Sequence, residues 1–359
     1  VCSSDLKVIQ ITQKGEKEIL NPTLNKVEEV RETKISDEDE VLFQNFSFFL
    51  EQYNKGQKKA IVSNKNSILC VAGAGSGKTL VLTKRIEFLT KFKGVKPKEI
   101  LAITFTRKAR REMQNRLKKN EVDGVHVETF NSFCEKILKI NNDLIYDKPT
   151  RVVTYGDKIR LLRNALATIG CEPEDALDIY FTKSQKNSKN DDQLFNIFLN
   201  DCFFILDYFK AENKKVEDFS KDGASTLVYN ICKYIEKYMY DQGLRDFTDQ
   251  IVDCLNFFRG NEDKVPVFKH VLVDEYQDVN ALQVELIDRL KSKNLFAVGD
   301  PRQAIYGWRG SNVKFILDFE ERYGACVINL TKNYRSKRKI VNLFNEAIKE
   351  MRLPDLEGV

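Results

Sequence analysis

The run Ala72-Gly73-Ala74-Gly75-Ser76-Gly77-Lys78-Thr79 joins a short apolar stretch, Ile68-Leu69-Cys70-Val71, to a segment whose apolar residues recur at helical spacing. Glycines at that density let backbone N–H groups turn inward around phosphate oxygens, and a helix starting at Lys78 adds the positive end of its dipole. In such a loop the Lys78 ammonium reaches the β and γ phosphates and the Thr79 hydroxyl ligates Mg²⁺. Ala72 stands at the first position of the G-x-x-x-x-G-K-[ST] pattern, where a small residue is tolerated. Lysine and threonine at those offsets have no packing purpose. The expected ligand is a nucleoside triphosphate, ATP, with Mg²⁺.

A phosphate loop of this kind needs a second acidic site to hold the metal. Val271-Leu272-Val273-Asp274-Glu275 supplies one, an apolar strand that ends in two adjacent carboxylates. Asp274 at the strand tip can hold Mg²⁺ through water, and Glu275 can orient and deprotonate an attacking water. The only two histidines, His126 and His270, lie far apart, each in an apolar–polar alternation, so both are expected on strands rather than around a metal.

Extended, the second motif reads Asp274-Glu275-Tyr276-Gln277-Asp278, and here the chain resembles the front half of the UvrD/Rep-type superfamily 1 DNA helicases. The resemblance covers about residues 50 to 345, with further motifs in the expected order. Tyr53-Asn54-x-x-Gln57 is similar to an adenine-reading motif. Leu101-Ala102-Ile103-Thr104-Phe105-Thr106 and Thr129-Phe130-Asn131-Ser132 resemble strand-contacting motifs. The segment Gly299-Asp300-Pro301-Arg302-Gln303-Ala304-Ile305-Tyr306-Gly307-Trp308-Arg309-Gly310 and the tetrapeptide Asn333-Tyr334-Arg335-Ser336 resemble two more.

The resemblance implies roles residue by residue. Gln57 would read the adenine edge, since an amide donates and accepts together. Tyr334 would stack on the base, and Leu80, where arginine is common, would make one side of that pocket apolar. Gln303 would sense the γ-phosphate, and Arg335 would add positive charge as the phosphoryl group leaves. Phe105, Thr129, Phe130, Asn131, Tyr306, Trp308 and Arg309 would line a track for single-stranded DNA, the aromatic rings stacking on unpaired bases without regard to sequence. Asn131 stands where histidine is frequent. The segment Arg107 to Lys119 carries seven Lys or Arg against the single acid Glu112 and would follow the phosphates.

The implied activity is ATP-driven translocation and unwinding, acting on single-stranded DNA and DNA junctions. Two alternatives stand beside it. Gly299-Asp300-Pro301-Arg302-Gln303 is closer to the helicase-nuclease branch of the RecB and AddA type, and an ATP-switched single-strand binder that does not unwind would carry the same site.

These residues require elements to position them. The chain has 359 residues, 42% hydrophobic and 31% charged, which suffices for a sizeable core and excludes a wholly disordered chain. Strand signals at Ile68–Val71, Ile100–Phe105, Val125–Val127, Val271–Val273, Leu295–Val298 and Cys326–Leu330 alternate with helical periodicity. That rhythm predicts an α/β fold with a parallel sheet. Between about 141 and 262 only helical periodicity remains, at Asp157–Thr168, Gln193–Phe209 and Asp246–Phe258. In family terms this is a P-loop NTPase (RecA-like) domain 1A at 46–140 and 263–330, a mostly helical inserted domain 1B at 141–262, and the start of a truncated domain 2A at 331–359.

Residues 1–45, with the acidic run Asp37-Glu38-Asp39-Glu40, read as a linker or a truncated upstream segment. The start at Val1 and the stop just after an amphipathic stretch, Ile340 to Met351, suggest that both ends are cut. The net charge of +5 is too mild to prove a polyanionic partner. Eight cysteines without a C-x-x-C pair read as buried thiols of a reducing cytosol. No apolar run approaches the ~20 residues of a membrane span. A soluble, cytoplasmic protein with no membrane contact is expected.

Overall fold

The computed structural model describes residues 33–211, 224–307, 310–349 and 355–358. Its strands are β1 (Ser67–Ala72), β2 (Ile100–Thr104), β3 (His126–Thr129), β4 (Arg151–Val152), β5 (Leu244–Arg245), β6 (His270–Val273), β7 (Asn294–Gly299), β8 (Cys326–Leu330), β9 (Lys332–Asn333) and β10 (Glu357–Gly358). Six of them form one sheet in the order β3-β2-β6-β7-β1-β8, and every pairing in it is parallel. All of β2 and all but the first residue of β1 and β7 are buried. That explains why these strands read as apolar runs, since a parallel sheet is covered on both faces.

Two compact units divide the chain. The sheet unit takes the described residues up to Thr129, Val267–Val279 and those from Lys291 onward. Its core runs along Ile68, Cys70, Ile100, Ala102, Leu272, Phe296, Val298 and Ile328, with Val81, Leu82 and Ile86 of the helix Lys78–Phe92 packed in. The helical unit takes Phe130–Pro266 and Asn280–Leu290. It starts earlier than residue 141 because Phe130–Ile140 packs against Phe247–Gly260, and Ala281–Arg289 joins the same helix.

Helices at Lys78–Phe92, Arg107–Lys119 and Phe130–Ile140 fall where apolar spacing puts them. Two local features differ from expectation. The acidic run of the segment read as a linker or a truncated upstream piece begins a helix, Asp37–Asn45: Ser36 and Asp39 form a capping box, and four acids in the first turn suit the positive end of the dipole. Phe43 of that helix is buried in the core of the sheet unit. Within the helical unit, β4 and β5 pair in parallel over two residues each, too short for any alternation to show in the sequence.

Both histidines lie on strands. His126 opens β3 with its ring edge-on to Phe268 at 5.4 Å. His270 opens β6, where burial, then the charge of Arg85, pushes its imidazole down to about 4. The folded chain thus refuses a proton that the unfolded chain takes. Stability from this residue is full above the ordinary imidazole value of ~6.5 and is lost as pH falls toward 4. His270→Gln should flatten that acid slope. Urea midpoints of wild type and variant at about pH 7 and about pH 4.5 check it; an unchanged slope assigns the loss to other groups.

Candidate active site

The phosphate loop follows β1 directly. Ser76 closes it into a tight turn, its amide and hydroxyl both donating to the Gly73 carbonyl at 3.1 and 2.7 Å. Gly75 and Gly77 sit at φ +73° and +92°, a region that residues with a Cβ seldom enter. Gly77 is the N-cap of Lys78–Phe92 and no side chain caps that end. The first-turn N–H groups are therefore directed at whatever occupies the loop. Gln57 is 3% exposed: Nε2 donates to the Ser76 carbonyl at 3.0 Å, and Oε1 accepts the Asn54 amide at 3.2 Å. The amide expected at the adenine edge thus braces the loop and caps its own helix, Lys55–Val62.

Lys78, Asp274, Glu275 and Gln303 meet at the C-terminal ends of β1, β6 and β7, the edge of an open α/β sheet at which ligands bind. Lys78 Nζ donates to Glu275 Oε2 at 2.7 Å and lies 3.4 Å from Gln303 Oε1. Glu275 adopts a left-handed conformation, φ 49° and ψ 45°. For a residue with a side chain this is a strained backbone, of the kind held at functional sites. Asp274 is 4% exposed, and burial, then the adjacent Glu275, pushes its carboxyl up to about 7.

A carboxylate so reluctant to ionise alone would be relieved by a cation. Asp274 and the half-buried Thr79 are the side chains that could hold Mg²⁺. Among the described residues no cluster of three or more His, Cys, Asp or Glu could hold a metal.

The tetrapeptide beyond β8 lies against the loop. Asn333 Nδ2 donates to the Ala74 carbonyl at 2.7 Å, and its Oδ1 accepts the amides of Arg335 and Ser336, each at 2.8 Å. The Tyr334 amide donates to the Gly75 carbonyl at 3.0 Å. Its half-exposed ring carries a hydroxyl that accepts from Asn54 Nδ2 at 2.8 Å. Arg335 is exposed, and Leu80 is partly buried in the first turn of the loop helix.

The expected DNA contacts are placed unequally. Phe105 follows β2 half-buried, Thr129 ends β3 and is buried, and Tyr306 is 38% exposed on the segment after β7. Trp308 and Arg309 lie outside the described residues. In the helical unit, Phe130 is 2% exposed, which is the core-packing arrangement and leaves no free ring face for a base. Asn131 there donates to the Phe247 carbonyl and to Gln250 Oε1 at 3.1 Å. The helix Arg107–Lys119 buries Met113 and Leu117 and exposes Arg107, Lys108, Arg111, Lys118 and Lys119. Arg110 and Arg116 instead pair with Glu128 and Glu112.

A profile described as the UvrD/REP helicase N-terminal domain matches residues 53–324. The chain belongs to the UvrD/REP helicase family. Among similar proteins are the ATP-dependent DNA helicases PcrA of Staphylococcus epidermidis and Staphylococcus aureus. They are 34% identical over 311 and 318 residues, covering 84% of this chain. The chain spans 40% of the length of these relatives. Among the described residues no helix is long and apolar enough to cross a membrane.

Sequence reasoning left three members of this UvrD/REP site without a role. Asp300 is fully buried and accepts from Arg302 Nε and from Gln303 Nε2, each at 2.6 Å. Asn333, 3% exposed, stands in the sequence only as the first residue of its motif. Gln277, 2% exposed between Glu275 and Asp300, is the third. Each is polar and buried, and burial is the signal that a linear motif does not carry.

Proposed function

We propose that this chain is the front part of an ATP-driven motor that moves on single-stranded DNA and unwinds duplexes, with DNA junctions among its substrates, in the cytoplasm. The observation that supports the reading is the convergence of Lys78, Asp274, Glu275 and Gln303 beside an uncapped helix N-terminus. Lys78 and the loop amides bind the β and γ phosphates. Glu275 orients the attacking water and accepts its proton at Oε1 or Oε2. Gln303 reports the γ-phosphate, Arg335 adds charge as it leaves, and Gln57, Leu80 and Tyr334 frame the base. Thr79 and Asp274 would hold Mg²⁺, which would supply Lewis-acid charge to the phosphoryl oxygens. In family terms residues 46–140 and 263–330 are domain 1A, the mostly helical stretch 141–262 domain 1B, and the residues from 331 the start of domain 2A.

The full-length protein should hydrolyse ATP only with Mg²⁺, faster with single-stranded oligonucleotide, and should displace a strand from a forked duplex. Tyr306→Ala should weaken single-strand binding by ~1–3 kcal/mol with little base preference. Steady-state turnover and fluorescence anisotropy measure these. Hydrolysis indifferent to oligonucleotide would sink the DNA motor, and stimulated hydrolysis without strand displacement would favour a non-unwinding translocase.

A further inference from the structure

A closed ring of hydrogen bonds runs through the candidate active site. Lys78 Nζ donates to Glu275 Oε2 at 2.7 Å, and Gln277 Nε2 donates to the same oxygen at 3.0 Å. Gln277 Oε1 accepts the Asp300 amide at 2.9 Å. Asp300 Oδ2 accepts from Gln303 Nε2 at 2.6 Å, and Gln303 Oε1 returns to Lys78 Nζ at 3.4 Å. Gln277, like Lys78 on the other side of the ring, links the Asp274-Glu275 edge of β6 to the segment that follows β7.

The orientation of that amide is dictated by its neighbours. The Asp300 N–H can only donate, so Oε1 must face it. Ionised Glu275 and Asp278 can only accept, so Nε2 must face them, and it lies 3.1 Å from Asp278 Oδ2. No other side chain of this size meets both demands. Glutamate would set a third carboxylate against two. Leucine would leave a buried main-chain amide unsatisfied.

We infer that Gln277 is a positioning residue that couples the Glu275 carboxylate to the Asp300–Gln303 segment. The inference rests on the ATP-hydrolysing reading of this site. Beyond Gln303 the chain runs at once into Ile305 and Tyr306, 68% and 38% exposed. The aim of Glu275 and the placing of the residues that meet DNA are thereby set together. Gln277 donates neither to the phosphate loop nor to Lys78, so its loss should spare nucleotide binding and uncouple turnover from DNA.

The test uses the full-length protein and the variants Gln277→Leu and Gln277→Glu, the second keeping size and shape should the first fold poorly. Nucleotide and oligonucleotide affinities should stay within about twofold of wild type. DNA-stimulated turnover should fall by about 10-fold to 100-fold, with basal turnover falling less. Gln277→Leu combined with Gln303→Leu should be no worse than the worse single variant, since both break one ring. Stimulation ratios equal to wild type in both variants, parallel loss of basal and stimulated rates together with a lowered thermal midpoint, or multiplicative losses in the double variant would each overturn the inference. Absence of ATP hydrolysis by the wild type would instead overturn the reading beneath it.

Discussion

Lys78→Ala in the full-length protein is expected to cut Mg²⁺-dependent ATP hydrolysis by at least about 100-fold to 1,000-fold, the scale of removing one preorganised donor from developing charge. The ammonium sits at the first residue of the loop helix, where neither water nor the helix dipole can replace a mobile full charge. Its partner Glu275 separates two effects. The Lys78–Glu275 pair at 2.7 Å means that a bound phosphate competes with a carboxylate for the same ammonium. Glu275→Gln should therefore bind ATP at least as tightly as wild type while losing turnover, because Lys78 is released and the proton acceptor is gone. Calorimetric titration with ATP and steady-state rates check both variants. Equal loss of nucleotide affinity in the two would contradict the roles proposed for them.

Lys210→Met should destabilise the protein by about 3–5 kcal/mol at about pH 8, the cost of leaving buried acids without their cation. Lys210 Nζ lies 2.7 Å from Asp246 Oδ2 and 2.6 Å from Asp249 Oδ1, with its side chain 16% exposed. Asp207, which accepts from Thr248 Oγ1 at 3.0 Å, is beside them, and Lys158 and Asp253 face the same cluster more distantly. Burial first, and then the neighbouring acid, pushes Asp207 up to about 6, and burial pushes Asp249 to the same value. Burial works against ionised Asp246 too, but the Lys210 charge and hydrogen bond more than offset it and hold that carboxyl low.

Asp246 also caps the helix Phe247–Gly260, so the damage reaches a helix end. Two of the acids accept a proton near pH 6 even with Lys210 present. The penalty of the variant should therefore shrink as pH falls toward about 5, when fewer bare charges are buried. Denaturant unfolding at both pH values measures the change. Equal losses would mean that packing of the lysine stem, and not its charge, is what the variant removes.

Much of this architecture is legible in short stretches of sequence because its signals are local. A glycine run followed by Lys78 fixes the start of a helix, and Ile100–Thr104 or Cys326–Leu330 stand out as strands because a sheet buried on both faces is apolar throughout. The fine structure of the site is less legible. Lys78 and Glu275 meet across a separation of 197 residues; the chemistry of a phosphate loop asks for an acidic partner, but the direct ion pair between them is not readable in the sequence. In the Lys210 cluster the lysine and its partners Asp246 and Asp249 lie on different helices, so no local pattern pairs them. Phe130 shows the converse: a motif suggested an exposed ring, and the amphipathic face of Phe130–Ile140 turned it inward. The helix Pro173–Tyr180 carries a local start signal, Pro173 at its first position with Glu174 and Asp175 behind it, that the sequence analysis above leaves unused.

The parallel order of the sheet has a consequence in time. β1 carries the phosphate loop, yet neither of its neighbours is near it in sequence: Ser67 pairs with Leu295, 228 positions later, and Ile68 with Cys326, 258 positions later. A ribosome adding about 5–20 residues per second leaves β1 without a partner for roughly 11–46 s. Throughout that interval Ile68-Leu69-Cys70-Val71 is an unpaired apolar edge, while the helical unit up to Pro266 is made and can fold first. A nascent chain stopped before residue 294 therefore carries every glycine of the loop and no strand to hold it open. The apolar edge of β1 stays without either of its sheet partners until β7 emerges.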